Sequence, residues 1–316
     1  MGLVIQLVVL VVGFVMLIKG ADFFVEGASK VADKFGIPQI VIGLTIVAMG
    51  TSAPEAAVSI AAAMKGSAEI TIGNVVGSNI LNVLIILGVT SIIIPLVVKK
   101  NTLKYEMPYV VLVSVALSVL GLFDGTVSRV DGLILWALFI LFLVYLFQIA
   151  KKGEDAGLDD VPESGANESV LKLIFLIVVG AVLIVWGADL SVDAATEIAR
   201  AFGWSERLIG LTIVALGTSL PELVTSVTAG LKGKADIAIG NIVGSNIFNI
   251  LFVVGTTALI TPVVYASDFL VDSVVCIASA TLLWLCVALN KEKKLGRTAG
   301  IMMLICYAGY FVYLVA

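Results

Sequence analysis

The chain has 316 residues, 60% hydrophobic and 13% charged, with a mean hydropathy of +1.14, a net charge of −4 and no histidine. This excludes an ordinary soluble domain and a nucleic-acid binder, and defines a polytopic membrane protein. Without histidine, the commonest zinc ligand and proton shuttle is missing. Cys276, Cys286 and Cys306 lie in apolar spans with neither metal-ligand nor redox spacing, so they read as packing residues.

Taken in order, the apolar segments form ten spans, each long enough to cross about 30 Å of hydrocarbon. The first five cover residues 3–29, 38–63, 70–98, 105–123 and 129–150. The first has no basic n-region or small-residue cleavage site, so it is expected to be a retained span. Residues 151–168 follow as the only long polar segment, with Glu154, Asp155, Asp159, Asp160, Glu163 and Glu168. This reads as a solvated acidic linker, too short to fold into a regulatory domain. The second five spans cover 169–199, 205–230, 236–264, 268–290 and 298–315.

Basic residues orient this layout. Placing the N-terminus outside puts fourteen of the nineteen Lys and Arg in inside loops: Lys30, Lys34, Lys99, Lys100, Lys104, Lys151, Lys152, Lys172, Lys232, Lys234, Lys291, Lys293, Lys294 and Arg297. The positive-inside rule then predicts both termini outside and the 151–168 linker in the cytoplasm.

Gly43–Glu55 reads GLTIVAMGTSAPE, and Gly210–Glu222 reads GLTIVALGTSLPE, with eleven of thirteen positions identical. Gly73–Asn82 (GNVVGSNILN) and Gly240–Asn249 (GNIVGSNIFN) match at eight of ten. The offset is 167 residues throughout, which is the mark of a duplicated unit. The chain therefore divides into a first five-helix repeat at 1–150 (motif 43–82), the linker at 151–168, and a second repeat at 169–316 (motif 210–249). Five spans per repeat is an odd number, so the second repeat must enter the membrane in the opposite sense. The expected fold is an all-α membrane protein of ten transmembrane helices in two inverted repeats.

Pro54 cannot donate to the carbonyl of Gly50, and its ring clashes there. Helix 2 should therefore break across Gly50, Thr51 and Ser52, and helix 7 likewise ahead of Pro221. Glu55 and Glu222 follow the prolines at membrane depth, where an acid costs several kcal/mol unless it is paired, protonated or facing a watery cavity. Broken helices with freed carbonyls and a buried acid suggest a cation site. Asn74, Ser78 and Asn82 recur every fourth residue, as do Asn241, Ser245 and Asn249, so each helix carries a polar stripe. Thr51 and Glu55, and Thr218 and Glu222, share the same spacing.

Hard cations take oxygen ligands, six to eight for calcium, and nothing here favours a softer metal. Two carboxylates would neutralise one divalent ion. Plainer readings apply to other residues. Asn74, Asn79, Asn241 and Asn246 are equally read as interhelical hydrogen-bonding groups, and Gly73/Gly77 and Gly240/Gly244 as close-packing GxxxG pairs. Asp22, Glu26, Asp189 and Asp193 read as interfacial acids or as a vestibule that attracts cations.

GTSAPE with GNVVGSNILN, repeated as GTSLPE with GNIVGSNIFN, resembles the paired alpha-repeats of the cation/calcium exchanger superfamily, closest to its prokaryotic sodium/calcium exchangers. The resemblance covers both halves and implies exchange of external Na+ for internal Ca2+ by alternating access. It implies that Glu55 and Glu222 are central ligands shared by both ions, with Thr51 and Thr218 adding oxygens to the calcium site. Ser52, Ser219, Ser78, Ser245 and the carbonyls of Ala48 and Ala215 would form flanking sodium sites, and Asn82 and Asn249 would complete the centre. Some relatives, including the potassium-dependent branch, have aspartate at the position of Asn249, so asparagine there argues for K+-independence. The implied partners are the two transported ions and the lipid bilayer, with no cofactor and no obligatory protein partner.

Three rivals compete. In Ca2+/H+ exchange the same glutamates would take protons, which leaves the flanking hydroxyls superfluous. An intramembrane hydrolase with a Glu55/Glu222 acid–base pair lacks a nucleophile-plus-base arrangement. A passive channel fits the ligands but not the duplicated broken helices.

Overall fold

Leu3–Phe35 forms one long helix, α1, in the computed structural model, which describes residues 3–65, 68, 70–152, 168–203, 215–266 and 269–315. α1 runs six residues past the expected end because no breaker intervenes before Gly36, whose φ of +63° stops it. Its last turns carry a Lys30–Glu26 pair at 2.7 Å and Lys34, a cation placed favourably at the helix C-terminus. Pro38 then caps α2 (Gln39–Thr51), and after a break at Ser52 comes α3 (Ala53–Met64), bent from α2 by 51°. The remaining helices of the first half are α4 (Ile70–Ile93), α5 (Thr102–Asp124) and α6 (Arg129–Lys152), with two-residue strands β1 (Leu96–Val97) and β2 (Thr126–Val127) beside α5.

The second half holds α7 (Val170–Ala201), α8 (Ala215–Gly217), α9 (Leu220–Leu231), α10 (Ala235–Ile260), α11 (Phe269–Leu289) and α12 (Arg297–Val315), with β3 (Val263–Val264) and β4 (Lys294–Leu295) flanking α11. Among the described residues, eight helices are each long and apolar enough to cross a membrane, and nine spans result when α2 and α3 count as one. Most of the 151–168 linker and the start of the expected 205–230 span, including Gly210–Val214 of the second motif, lie outside the described residues.

Burial orders the helices into a centre and a rim. In their most apolar windows α10 is 94% buried and α4 72%, whereas α1 is 17% and α12 11% buried. The helices carrying the GNxVGSN motifs are thus surrounded by protein, while the long flanking helices face lipid. α1 and α7 lie antiparallel along glycines. A Cβ on Gly13 would fall 2.9 Å from the carbonyl oxygen of Gly187, and one on Gly20 would fall 2.9 Å from that of Gly180. Only glycine allows backbones to approach this closely.

Contacts of the two halves exchange partners at the 167-residue offset. β1 pairs antiparallel with β4 (Leu96 opposite Leu295), and β3 pairs antiparallel with β2 (Val263 opposite Val127). α12 packs on the end of α4, and α6 on the end of α10.

The basic loops gather on one face. Lys30 and Lys172 pair with Glu168 at 2.7 and 2.9 Å, Lys34 donates to its main-chain oxygen at 2.7 Å, Lys99 pairs with Asp236 at 2.8 Å, and the Val98 amide donates to Lys293 O at 2.9 Å. Hydrogen bonds from Lys30 and then Lys172 hold the Glu168 carboxyl below the usual carboxylate range.

Because the α1–α7 contact has no room for a side chain, Gly20→Val should destabilise the purified protein by about 1–3 kcal/mol or more. Thermal unfolding in detergent would show this as a lowered Tm. Gly309→Ala, on the open surface of α12, should leave Tm nearly unchanged.

Candidate functional site

The helix breaks fall where the prolines require. α2 stays helical through Thr51, and Ser52, at φ −85° and ψ 8°, leaves the helix so that Pro54 sits in the first turn of α3, where its missing N–H costs nothing. In the second half Ser219 has φ −94° and ψ 3°, and Pro221 occupies the first turn of α9. Each break delivers a glutamate into the first turn of the next helix, Glu55 on α3 and Glu222 on α9, each 1% exposed. A carboxylate there is favoured by the positive end of the helix dipole.

The expected site residues meet between the halves. Ser52 Oγ donates to Glu222 Oε1 at 2.8 Å. The Thr51 hydroxyl lies 3.0 Å from Asn241 Oδ1 and 3.1 Å from Val47 O, and Ser245 Oγ lies 3.4 Å from the carbonyl of Ala48. Glu55 and Glu222 are close enough for their charges to repel. Ser78 and Ser245 are buried on α4 and α10, Thr218 is half-buried in the second break, and Ala215 opens α8.

Four asparagines do structural work around them. Asn74 Nδ2 donates to Ser59 Oγ at 2.9 Å and to Glu55 O at 3.2 Å, and Asn241 Nδ2 donates to Ser226 Oγ at 2.9 Å and to Glu222 O at 3.4 Å. Asn79 and Asn246 form a reciprocal clasp between α4 and α10, each amide donating to the other's main-chain carbonyl, at 3.1 and 3.2 Å. Their side-chain oxygens accept from Asn82 and Asn249, at 3.1 Å (Asn249 to Asn79) and 3.0 Å (Asn82 to Asn246). With its NH2 group held this way, each of Asn82 and Asn249 has its oxygen left over. Both residues open a π-helical turn, Asn82–Leu87 and Asn249–Val254, and such turns are frequent at functional sites.

Glu55 Oε2, Glu222 Oε2, Asn82 Oδ1, Asn249 Oδ1 and Ser219 Oγ are all buried without a hydrogen-bond partner. Buried acceptors are ordinarily satisfied, because leaving one bare costs about 1–3 kcal/mol. Four unfilled acceptors, two of them carboxylate oxygens, on four neighbouring helices provide a site for a cation. Among the described residues no group of three or more Asp, Glu, His or Cys could hold a metal, so amides, hydroxyls and carbonyls would have to complete the shell.

Sequence reasoning missed Ser59 and Ser226, although they too are 167 residues apart. It also passed over Glu106, 1% exposed on α5, which accepts a 2.5 Å bond from the Tyr145 hydroxyl; the signal was an acid inside the apolar 105–123 run.

Helices crossing a membrane and broken around paired buried carboxylates define an ion-transporting membrane protein. The profile of the family described as sodium/calcium exchanger protein matches residues 5–148 and 172–316, and the chain belongs to this family. It is 38% identical over 315 residues to the inner membrane protein YrbG of Escherichia coli strain K12, covering 96% of this chain and 94% of that one. It is 34% identical over 347 residues to the sodium/calcium exchanger MaX1 of Methanosarcina acetivorans, covering 98% of each. It superposes on a structure of the sodium-calcium exchanger NCX_Mj with a TM-score of 0.83 at 32% identity, covering 99% of this chain and 100% of that one. The chain is therefore a prokaryotic-type exchanger and a multi-pass membrane protein.

Asn79→Ala and Asn246→Ala each remove an interhelical bond and strand the amide of Asn249 or Asn82. Each should lower stability by about 1–3 kcal/mol, read as a lower Tm in detergent.

Proposed function

We propose that the chain is a secondary antiporter that exchanges Na+ for Ca2+ by alternating access, at one site shared by both ions between two inverted five-helix repeats. The repeats are 1–150 and 169–316, joined by the acidic 151–168 linker. The partner exchange of strands and helices at the 167-residue offset supports the duplication, and the odd number of expected spans per repeat supports the inversion. The relatives named as sodium/calcium exchangers support the two ions as substrates.

The observation that carries the reading is the set of unfilled buried oxygens on Glu55, Glu222, Asn82 and Asn249. Two carboxylates match the charge of one Ca2+, and oxygen is the ligand Ca2+ takes. Glu55 and Glu222 act as ligands of both ions, with Thr51 and Thr218 beside them. Ser52, Ser219, Ser78, Ser245 and the carbonyls of Ala48 and Ala215 serve the flanking Na+ positions, and Asn82 and Asn249 close the centre. Asn249 in place of an acid makes the exchange independent of K+.

Coupling follows from competition. Without cations the two carboxylates face each other in a low-dielectric interior, so an empty site resists passing through an occluded state. Exchange of three Na+ for one Ca2+ moves one net charge per cycle, worth about 2.3 kcal/mol per 100 mV.

In vesicles loaded with Na+ and diluted into Na+-free medium with a proton ionophore, radioactive Ca2+ uptake should depend on the Na+ gradient. An inside-positive potential should accelerate it. Glu55→Gln and Glu222→Gln should each lower uptake by roughly tenfold or more, since a hydrogen-bonding or ligating interaction with a charged group is worth about 1.5–3 kcal/mol. Normal uptake by Glu55→Gln would falsify the assignment. Uptake that ignores Na+ and follows an imposed pH gradient, with the ionophore omitted, would replace Na+ by protons at the same glutamates.

A further inference from the structure

The duplication predicts a symmetry that the structure breaks consistently in one direction. Lys65 and Lys232 are equivalent at the 167-residue offset, and each is the C-cap of a helix that follows a break, α3 or α9. Asp22 on α1 and Asp189 on α7 are equivalent in the same way. Lys232 Nζ lies 3.2 Å from Asp22 Oδ1 and donates to Asp22 O at 3.0 Å. This joins α1 of the first half to α9 of the second. The counterpart is not made: among the described residues neither Lys65 nor Asp189 has an ion-pair partner.

The centre is biased the same way. Ser52 donates to Glu222, while the equivalent Ser219 hydroxyl is buried without a partner and does not reach Glu55. Thr51 reaches Asn241, and Thr218 makes no such bond to Asn74. α1 packs along α9, whereas α7 has no comparable packing on α3. Chain direction puts the two lysines on opposite faces. α10, which begins just after Lys232, lies beside the start of α2 through Gly43 and Asp236, while α3 carries the chain on from the α2 break to Lys65.

We propose that Asp22–Lys232 and Asp189–Lys65 are alternative ionic latches, one for each face of the membrane, and that only one is closed at a time. The proposal rests on the alternating-access reading above. It gives four charged residues outside the ion site the task of holding one access path shut while the other is open. About a third of each side chain in the closed pair is exposed. Partly exposed pairs are weak and easily broken, which suits a contact that must open in every cycle. The equivalence also explains an acid exposed within each of the two long helices, where sequence alone left an interfacial residue or a vestibule.

The test uses the full chain with Cys276, Cys286 and Cys306 replaced by serine, reconstituted in vesicles. One variant carries Asp22→Cys with Lys232→Cys, another Asp189→Cys with Lys65→Cys, and a third all four. A short bifunctional methanethiosulfonate reagent bridges the pairs, and mass spectrometry of the digested protein scores the bridges. The first pair should bridge in the resting protein and the second only in protein that is cycling. No single chain should carry both bridges. Either bridge should stop exchange, and reduction should restore it. Both bridges in one chain, exchange through a bridged protein, or no second bridge in cycling protein would overturn the latches.

Reduced variants that exchange Na+ for Ca2+ keep the exchange reading in place whatever the bridges do. If instead the parent carries Ca2+ without Na+, that reading fails, and mutual exclusion of the bridges still decides the latches. If the cysteine pairs fail to fold, charge reversal decides. Asp22→Lys or Lys232→Asp alone should slow exchange several-fold by shifting the population of the two states, and the double swap should restore it. A swap that leaves exchange as slow as the single changes overturns the proposal.

Discussion

Two carboxylates held close together inside a membrane protein are the constraint on which the rest of the structure depends. Glu55 and Glu222 are nearly inaccessible, and each has an oxygen with no protein partner. A low-dielectric interior penalises that arrangement unless positive charge completes it. The surrounding structure confirms that the shortage is local. Asn74, Asn79, Asn241 and Asn246 have both amide hydrogens and oxygens engaged or directed at backbone and neighbouring side chains, whereas Asn82 and Asn249 keep bare oxygens beside the acids. The protein has satisfied its own polar groups everywhere that it needs packing and left them open where it needs a cation.

Placing such a site requires irregular backbone that is nowhere exposed to lipid. The Ser52 and Ser219 breaks supply it, and α4 and α10, the most buried spans, enclose it. The glycine contacts of α1 with α7 set a different kind of surface, backbone against backbone, on the rim. The Asn79–Asn246 clasp ties the centre together while the rim holds few polar contacts. A rigid core and a rim tied by weak, partly exposed ion pairs is the division expected of a protein in which one bundle moves against another.

The parts of this legible in the sequence were those with few alternatives. A proline and an acid inside an apolar run admit little besides a break and a site, and Pro54–Glu55 with Pro221–Glu222 marked both. Helix bounds were read to within a few residues except at α1, whose polar final turns resemble a loop until the Lys30–Glu26 and Lys30–Glu168 pairs are known. The π-helical turns at Asn82 and Asn249 were invisible, because one extra residue in a turn leaves no mark on composition. Asn79 and Asn246 carried two equal readings, since an amide's role depends on a partner 167 residues away. Glu106 was passed over although it sits in an apolar run, and its Tyr145 partner lies on another helix. The two-residue strands are too short to carry a periodicity at all.

Equilibrium binding of radioactive Ca2+ to the purified protein in detergent, titrated with Na+ at fixed ionic strength, tests the central claim most directly. The account predicts one Ca2+ bound per chain, displaced by Na+ with a slope steeper than one, and lost in Glu55→Gln with Glu222→Gln while Tm remains that of a folded protein. Ca2+ binding that survives removal of both carboxylates, or that Na+ does not displace, would contradict it.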